Sequence, residues 1–296
     1  MSKPHRDNSN TYTVQDRFSR EELERLLIHD QVFTTAMGGV LPEQPDPTRF
    51  QHVLDIGCGP GGWVLETAKT YPTMSLLVGV DVNDKMIAHA QAQAQALQVD
   101  DRVEFYNMDG LRPLGFPAGH FDLVNERFGT SWLRTWEWPK FLQECQRVAL
   151  PGGVIRVTEF NICIESNSPA LVQLGKLTIK AFHSSGHIFT PETDGLVKEL
   201  PRLMRQHGLQ NVQTHAHMLE YRAGTPLGQL FIQDWTHLFR VVEPFLRKWT
   251  LVPDNYHNIY QQMLREMQQP DFVAISRPVT VWGVRSSYYA PSMDRP

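Results

Sequence analysis

The feature that most constrains this fold is a short apolar segment that runs directly into a cluster of glycines. His52 to Ile56 has the composition of a buried strand, and Asp55-Ile56-Gly57-Cys58-Gly59-Pro60-Gly61-Gly62 continues from it into a segment with helical character. A turn this tight between a strand and a helix needs residues that tolerate positive φ. Glycines also let a nucleoside approach the backbone closely. Because such turns also occur for packing alone, the loop needs support from the rest of the chain.

The segments around this loop alternate between strand and helix patterns. Strands are predicted at 52–56, 75–80, 102–108, 121–125 and 154–160, and helices at 63–71, 84–98 and 139–149. This alternation predicts βαβ units and a mostly parallel sheet, which places the chain in the α/β class. An amphipathic helix precedes the first strand, and further helices are predicted at 168–182 and 195–207. The last strands are predicted at 211–221 and 279–284.

Three acids follow successive strands of the predicted sheet. Asp55 closes the first strand, Asp81 the second, and Asp109 comes just after the third. The carboxyl edge of an open parallel sheet is where such folds bind ligands, so the three carboxylates are expected to lie together. Asp55 suits a cationic amino group, Asp81 can accept hydrogen bonds from two ribose hydroxyls, and Asp109 can accept one from an adenine amine.

In this order the motifs resemble the class I S-adenosylmethionine methyltransferase family. The resemblance covers roughly Gln51 to Phe160 and includes Phe121-Asp122-Leu123-Val124 and Leu150-Pro151-Gly152-Gly153. It implies a Rossmann-like seven-stranded sheet with helices on both faces, whose last strand is antiparallel and inserted beside the sixth. It also implies S-adenosylmethionine as cofactor, held by residues of the glycine loop and of the strand ends. These residues are Asp55, Gly57, Cys58, Gly59, Gly61, Asp81, Val82, Met86, Met108, Asp109, Gly110 and Asn125.

The segment after the fourth strand is similar to small-molecule methyltransferases of quinone biosynthesis and secondary metabolism. Aromatic residues are frequent there and farther along the chain, and Phe128, Trp132 and Trp235 are candidates for substrate contact, although a purely structural role fits them equally. The resemblance therefore favours transfer to an oxygen or carbon of a small aromatic or apolar molecule. A small-molecule N-methyltransferase, a non-catalytic regulatory protein and, less favoured, an NAD-dependent oxidoreductase stay open as alternatives.

Methyl transfer from a sulfonium needs alignment above all, and an oxygen or carbon acceptor also needs a base. Glu126 and Arg127 follow the fourth strand and are candidates by placement, with a loop-shaping ion pair as the alternative. His183 and His187 are candidates because histidine changes charge near neutral pH. Neither they nor His215 and His217 belong to an H-E-x-x-H motif, so no metal is predicted.

The predicted organisation is an N-terminal tail and helical cap at 1–50, the cofactor-binding core at 51–160, the rest of the sheet at 161–285 and a tail at 286–296. Helical lid insertions are expected at about 161–192 and 224–270, since a long helical connection between strands is usually functional.

Composition limits the class of partner. The formal net charge of −4 argues against nucleic acid as the main partner, because phosphate binding usually needs a basic face. The polar N-terminus does not resemble a signal peptide, and no apolar run is long enough to span a bilayer. Three widely spaced cysteines, Cys58, Cys145 and Cys163, suggest reduced thiols. We therefore expect a cytoplasmic protein that acts on a small molecule without a membrane; a homodimer is left open.

Overall fold

The computed structural model describes residues 12–14, 20–161 and 164–287. The predicted tail at the N-terminus, most of the tail predicted at 286–296, and Cys163 lie outside the described residues. The strands are β1 His52–Ile56, β2 Leu76–Asp81, β3 Val103–Asn107, β4 Phe121–Arg127, β5 Ala149–Phe160, β6 Glu165–Ser166, β7 Gln210–Ala216, β8 Leu219–Arg222, β9 Val273–Ser276 and β10 Pro278–Val284. The helices are α1 Arg20–Ala36, α2 Gly62–Thr70, α3 Asp84–Ala96, α4 Trp138–Val148, α5 Pro169–Ser184, α6 Leu200–Gln206, α7 Pro226–Val241, α8 Glu243–Trp249 and α9 Tyr256–Met267.

Seven strands form the main sheet in the order β3-β2-β1-β4-β5-β10-β7. Strands β1 to β5 pair in parallel, whereas β10 is antiparallel to both β5 and β7 and lies between them. Apolar side chains cover the sheet on both faces, one cluster with α2 and α3 and the other with α4 and α5. The predicted Rossmann-like α/β fold is confirmed, including the inserted antiparallel strand.

The centre of the sheet is buried on both faces, as parallel strands flanked by helices require. In β1, all four residues from Val53 to Ile56 are buried, so Asp55 is an ionisable side chain inside an otherwise apolar strand. Helix α3 begins after Asn83, whose side chain accepts hydrogen bonds from the backbone N–H groups of Lys85 and Met86. This cap fixes where the chain turns away from the end of β2.

The prediction of a single strand at 211–221 is wrong, because this segment forms two strands that belong to different sheets. The backbone N–H of His217 still donates to Pro278 O at 2.9 Å, and the chain then leaves the main sheet. After Met218, β8 pairs with β9 in a three-stranded sheet of order β6-β9-β8. Side chains alternate on both sides of this change, so a period of two could not reveal it.

A layer of helices lies over part of the main sheet. Helix α1 packs against α7, and α5 packs against α8 and α9. The two segments expected to be lid insertions contain α5 and α7 to α9. Their function as a lid, like the division of the chain into the expected domains, stays a prediction.

Candidate active site

A cavity of about 670 Å³ lies between the carboxyl edge of the main sheet and helices α1, α5 and α7. It gathers ten of the twelve predicted cofactor residues and all three predicted substrate residues from distant parts of the chain. Its lining includes Asp55, Gly57, Cys58, Gly59, Asp81, Val82, Met86, Met108, Asp109, Gly110, Arg127, Phe128, Trp132 and Trp235. Gly61 and Asn125 do not line it.

The glycine loop is held closed by β2 and covered by an indole. The backbone N–H groups of Gly57 and Cys58 both donate to Val80 O, at 2.8 and 3.0 Å. Gly57 has φ +77°, and a Cβ atom there would lie 3.1 Å from Trp132 Nε1. A Cβ atom on Gly110 would lie 3.2 Å from the same indole. The Trp132 ring therefore forms a wall that only residues without side chains can approach so closely.

Gly61 is constrained by packing. It is buried, has φ +82°, and a Cβ atom on it would lie 2.7 Å from the Phe105 ring and 2.8 Å from Ala90 Cβ. Its lack of a side chain therefore serves the packing of α2 against β3 and α3, and its assignment to cofactor contact stays a prediction.

The carboxylates at the ends of β2 and β3 are fixed by backbone groups. Asp81 accepts hydrogen bonds from Gly59 N at 3.0 Å and Asn83 N at 2.8 Å. Asp109 accepts one from Leu111 N at 2.9 Å, and Arg112 Nε lies 3.2 Å from its second oxygen. Both acids thus have a defined orientation at the cavity wall, as expected for groups that recognise polar hydroxyls or amines.

Asp55 begins a chain of polar contacts that crosses three neighbouring strands. Asn125 Nδ2 donates to Asp55 Oδ1 at 2.7 Å, and Arg156 Nη1 donates to Asn125 Oδ1 at 2.7 Å. Arg156 also pairs with Glu43 at 2.8 Å, and the side chains of both are fully buried. Asn125 thus holds the carboxylate in place behind the cavity wall, which is a different function from the predicted direct contact. The sequence around Arg156 and Glu43 contains no pattern that would predict their place in this chain of contacts.

The electrostatics of Asp55 are set by burial. Loss of hydration raises the pKa of Asp55 to about 7, against the opposing effects of the Arg127 charge and the Asn125 hydrogen bond. A cationic ligand beside Asp55 would favour its ionised form. Arg127 lines the same part of the cavity, where its guanidinium pairs with Asp30 and donates to Thr34 Oγ1 at 3.1 Å.

Glu126 is on the opposite face of β4 from the site expected for it. It does not line the cavity, is 1% exposed and lies beside the equally buried Glu159. Burial first, and then the neighbouring Glu159 and Asp55 charges, raise the pKa of Glu126 well above its ordinary value. Burial raises the pKa of Glu159 to about 8, while Thr130 donates to both of its oxygens. Alternation along β4 turns the side chain of Glu126 away from the cavity, so the structure does not bring this candidate base to the site.

The two histidines predicted as catalytic are also outside the cavity. His183 is exposed near the end of α5. His187 is buried, with Nδ1 2.7 Å from Ser185 Oγ and its ring 5.5 Å from that of Phe182. The structure therefore does not bring either candidate to the cavity: His183 faces solvent, and His187 has a packing and hydrogen-bonding role.

A different histidine, which the sequence reasoning missed, does line the cavity. His29 of α1 places Nδ1 2.8 Å from Oδ2 of Asp234 on α7, a carboxylate with no exposed surface. The other Asp234 oxygen lies 3.6 Å from Arg25 Nη1, one turn before His29 on α1. In the sequence, the spacing of Arg25 and His29 indicates only that both lie on one side of a helix. Asp234 follows His29 by 205 positions, so no local pattern connects the two.

Beyond the strand ends the cavity is aromatic. The His29 ring lies 4.6 Å from that of Phe33 and 5.1 Å from that of Phe128, and Phe128 lies 5.3 Å from Phe160. Trp235 adds an indole whose Nε1 has no hydrogen-bond partner within the described residues. This aromatic chamber, lined by His29, Phe33, Phe128, Phe160 and Trp235, can take a flat apolar molecule with a hydrogen-bond acceptor.

Comparisons with known proteins agree with this geometry. Residues 53–153 match the family model described as a methyltransferase domain. Residues 53–153 thus form a methyltransferase domain with the class I, S-adenosylmethionine-dependent type of fold. Across the described ranges, no three histidine, cysteine or acidic side chains are grouped as a metal site would need, and no helix of this methyltransferase is long and apolar enough to cross a membrane.

The methyltransferase is similar to several small-molecule enzymes. It is 26% identical over 179 residues to a demethylmenaquinone methyltransferase of Bacillus licheniformis, covering 55% of this chain and 72% of that protein. It is 33% identical over 114 residues to ajmaline N-methyltransferase of Rauvolfia serpentina, but this match covers only 38% of this chain and 37% of that enzyme. Among solved structures, phosphoethanolamine N-methyltransferase 2 of Haemonchus contortus has a TM-score of 0.55 at 16% identity, over 92% of this chain and 58% of that one. At that identity the structural likeness shows the fold.

Proposed function

We propose that the protein transfers a methyl group from S-adenosylmethionine to an oxygen or carbon of a small aromatic or apolar molecule. The observation that carries this proposal is the continuity of the cavity, whose lining runs from the glycine loop and strand-end acids to the aromatic chamber. A single enclosed space for donor and acceptor is what an in-line displacement requires.

The cofactor half is assigned by charge and shape. Asp55 and Arg127 offer opposite charges for the amino and carboxylate groups of the methionine part. Asp81 is held to accept the ribose hydroxyls, and Asp109 to accept the adenine amine. The Trp132 indole, which lies against Gly57 and Gly110, forms one wall of the space that we assign to the sulfonium end.

The acceptor half is assigned by the aromatic chamber. Its rings exclude water, which strengthens the alignment of a nucleophile with the methyl group. Relatives named for demethylmenaquinone and aklanonic acid support an acceptor of the polycyclic aromatic kind. A cytoplasmic location, expected from composition, belongs to the same proposal, and cell fractionation tests it.

A nitrogen acceptor is the second candidate, and the similarity to ajmaline N-methyltransferase favours it. Mass spectrometry of the methylated product after acid hydrolysis separates the candidates, because ethers, C-methyl groups and N-methyl groups differ in their stability and fragmentation.

Calorimetric titration with S-adenosylmethionine tests the cofactor assignment. Asp81→Ala and Asp81→Asn are expected to weaken binding about 10- to 100-fold, as the loss of hydrogen bonds to a charged acceptor would do. Asp101→Ala is the matched control, since Asp101 is an exposed acid that does not line the cavity. Equal affinities in all four proteins, with equal melting temperatures, would contradict the assignment.

A further inference from the structure

We propose that His29, oriented by Asp234, is the general base that accepts the proton of an aromatic hydroxyl acceptor in the chamber. This inference rests on the proposed function and adds to it a catalytic residue and an acceptor class.

The pair has the geometry of a base and its orienting group. Asp234 is fully buried, and its Oδ2 lies 2.8 Å from His29 Nδ1. A carboxylate in this position accepts the Nδ1 proton and so selects the tautomer in which Nε2 carries a free lone pair. Arg25 Nη1 lies 3.6 Å from the other Asp234 oxygen, while the same guanidinium pairs more closely with the buried Glu22, at 2.7 Å.

His29 lies at the wall of the cavity in which an acceptor would bind. The two ring nitrogens lie on different sides of the imidazole, so the bond through Nδ1 turns Nε2 away from Asp234. His29 lines the cavity, and its ring packs edge-on to Phe128, 5.1 Å away. Phe128 follows β4 directly, next to the part of the cavity that holds Asp55 and Arg127. His29 therefore borders both the cofactor half and the aromatic chamber.

The reaction balances with this one base. The hydroxyl oxygen attacks the methyl carbon, an O–C bond forms, the C–S bond breaks, and its electron pair stays on sulfur as a neutral thioether. The hydroxyl proton moves to His29 Nε2, and the imidazolium formed is stabilised by Asp234. Solvent takes the proton after the product leaves. No oxidant, metal or further reactant is needed.

Charged side chains surround the His29 ring. They are Asp234 on α7, Glu22, Arg25 and Asp30 on α1, and Arg127 at the end of β4. Arg25 pairs with Glu22 and Arg127 pairs with Asp30, which leaves Asp234 as the carboxylate in direct contact with the ring.

The test is transfer of tritiated methyl from S-adenosylmethionine to three probes: 1-naphthol, 2-naphthol and 1,4-dihydroxynaphthalene. His29→Gln is expected to lower kcat about 10²- to 10⁴-fold with little change in KM. Asp234→Asn is expected to lower kcat at least about 10-fold, because the His29 ring is then no longer held in one tautomer. His257→Gln, an exposed histidine on α9, is the matched control and should retain the wild-type rate.

Chemical rescue separates a base from a structural residue. Added imidazole should restore part of the rate of His29→Ala, because it can enter the space left by the side chain, but should not affect wild type. Rates of His29→Gln within twofold of wild type would overturn the proposal. So would a loss of rate in His29→Ala that imidazole leaves unchanged while cofactor affinity stays normal. A wild-type protein that binds S-adenosylmethionine but methylates none of the probes would overturn the acceptor class. Failure to bind S-adenosylmethionine would instead contradict the proposed function.

Discussion

Two glycines with the same backbone conformation should respond very differently to alanine. Gly61 and Gly208 both have φ +82°, so alanine at either position carries the cost of a left-handed backbone, about 1–2 kcal/mol. At Gly208, which is exposed after α6, a Cβ atom meets nothing within 4 Å. At Gly61 it would lie 2.7 Å from Phe105 and 2.8 Å from Ala90 Cβ.

Phe105 has little room to yield. A Cβ atom on Gly79 would lie 2.6 Å from the same ring, so the ring is bordered by backbone at two glycines and is 4% exposed. Forcing a methyl group into a filled core costs a further 1–3 kcal/mol or so. We therefore expect Gly208→Ala to lower the free energy of unfolding by about 1–2 kcal/mol and Gly61→Ala by about 2–5 kcal/mol.

Urea unfolding followed by far-ultraviolet circular dichroism measures both values, with equal m-values as the condition for comparing them. The reasoning is refuted if the two variants are destabilised equally, to within about 0.5 kcal/mol. In that case backbone conformation alone would explain Gly61, and its place in the glycine loop would again point to the ligand.

Three further predictions concern ionisable groups and the cavity wall. Burial raises the pKa of Asp55 to about 7, so affinity for the cationic cofactor should increase from pH 6 to pH 8. Calorimetry should show this increase in wild type and not in Asp55→Asn. An identical increase in both proteins would contradict the role of Asp55. Burial also raises the pKa of Glu159 to about 8 in the folded protein, so its contribution to stability is full below the ordinary pKa of 4.5 and is lost as pH rises towards 8. Between pH 4.5 and 8, wild type should therefore lose up to about 1.4 kcal/mol of stability per pH unit relative to Glu159→Gln. Urea unfolding at several pH values measures this difference. Midpoints that change equally with pH in both proteins would refute the prediction. Trp132→Ala removes the indole that covers Gly57 and Gly110, so it should weaken S-adenosylmethionine binding about 10-fold or more. Trp136→Ala removes an exposed indole at the rim of the cavity and should weaken binding less. The reverse order would contradict the assignment of Trp132 to the cofactor site.

The cofactor half of the site was predictable from sequence because its parts are local to each strand end. Asp55 lies near the end of β1, Asp81 ends β2 and Asp109 follows β3, and parallel pairing brings these strand ends to one edge. Glu126 lies away from the cavity because it faces the opposite side of β4 from Asn125, as neighbouring residues of a strand do.

The acceptor half could not be read in this way. His29 and Asp234 meet only because α1 packs on α7, and each is one polar residue on an amphipathic helix. Arg156 and Glu43 likewise pair across 113 positions. Strands β6 and β9 are two and four residues long, too short to show a period. Nearly every residue of β7 is exposed, so burial does not mark where this strand ends and β8 begins.

The most direct test of the central claim, that one cavity holds both donor and acceptor, is a crystal structure of the protein with S-adenosylhomocysteine. The account predicts the ribose hydroxyls on Asp81, the amino group beside Asp55, and the sulfur directed into the aromatic chamber towards His29 and Phe128. A sulfur directed to solvent, or a cofactor bound outside this cavity, would contradict it.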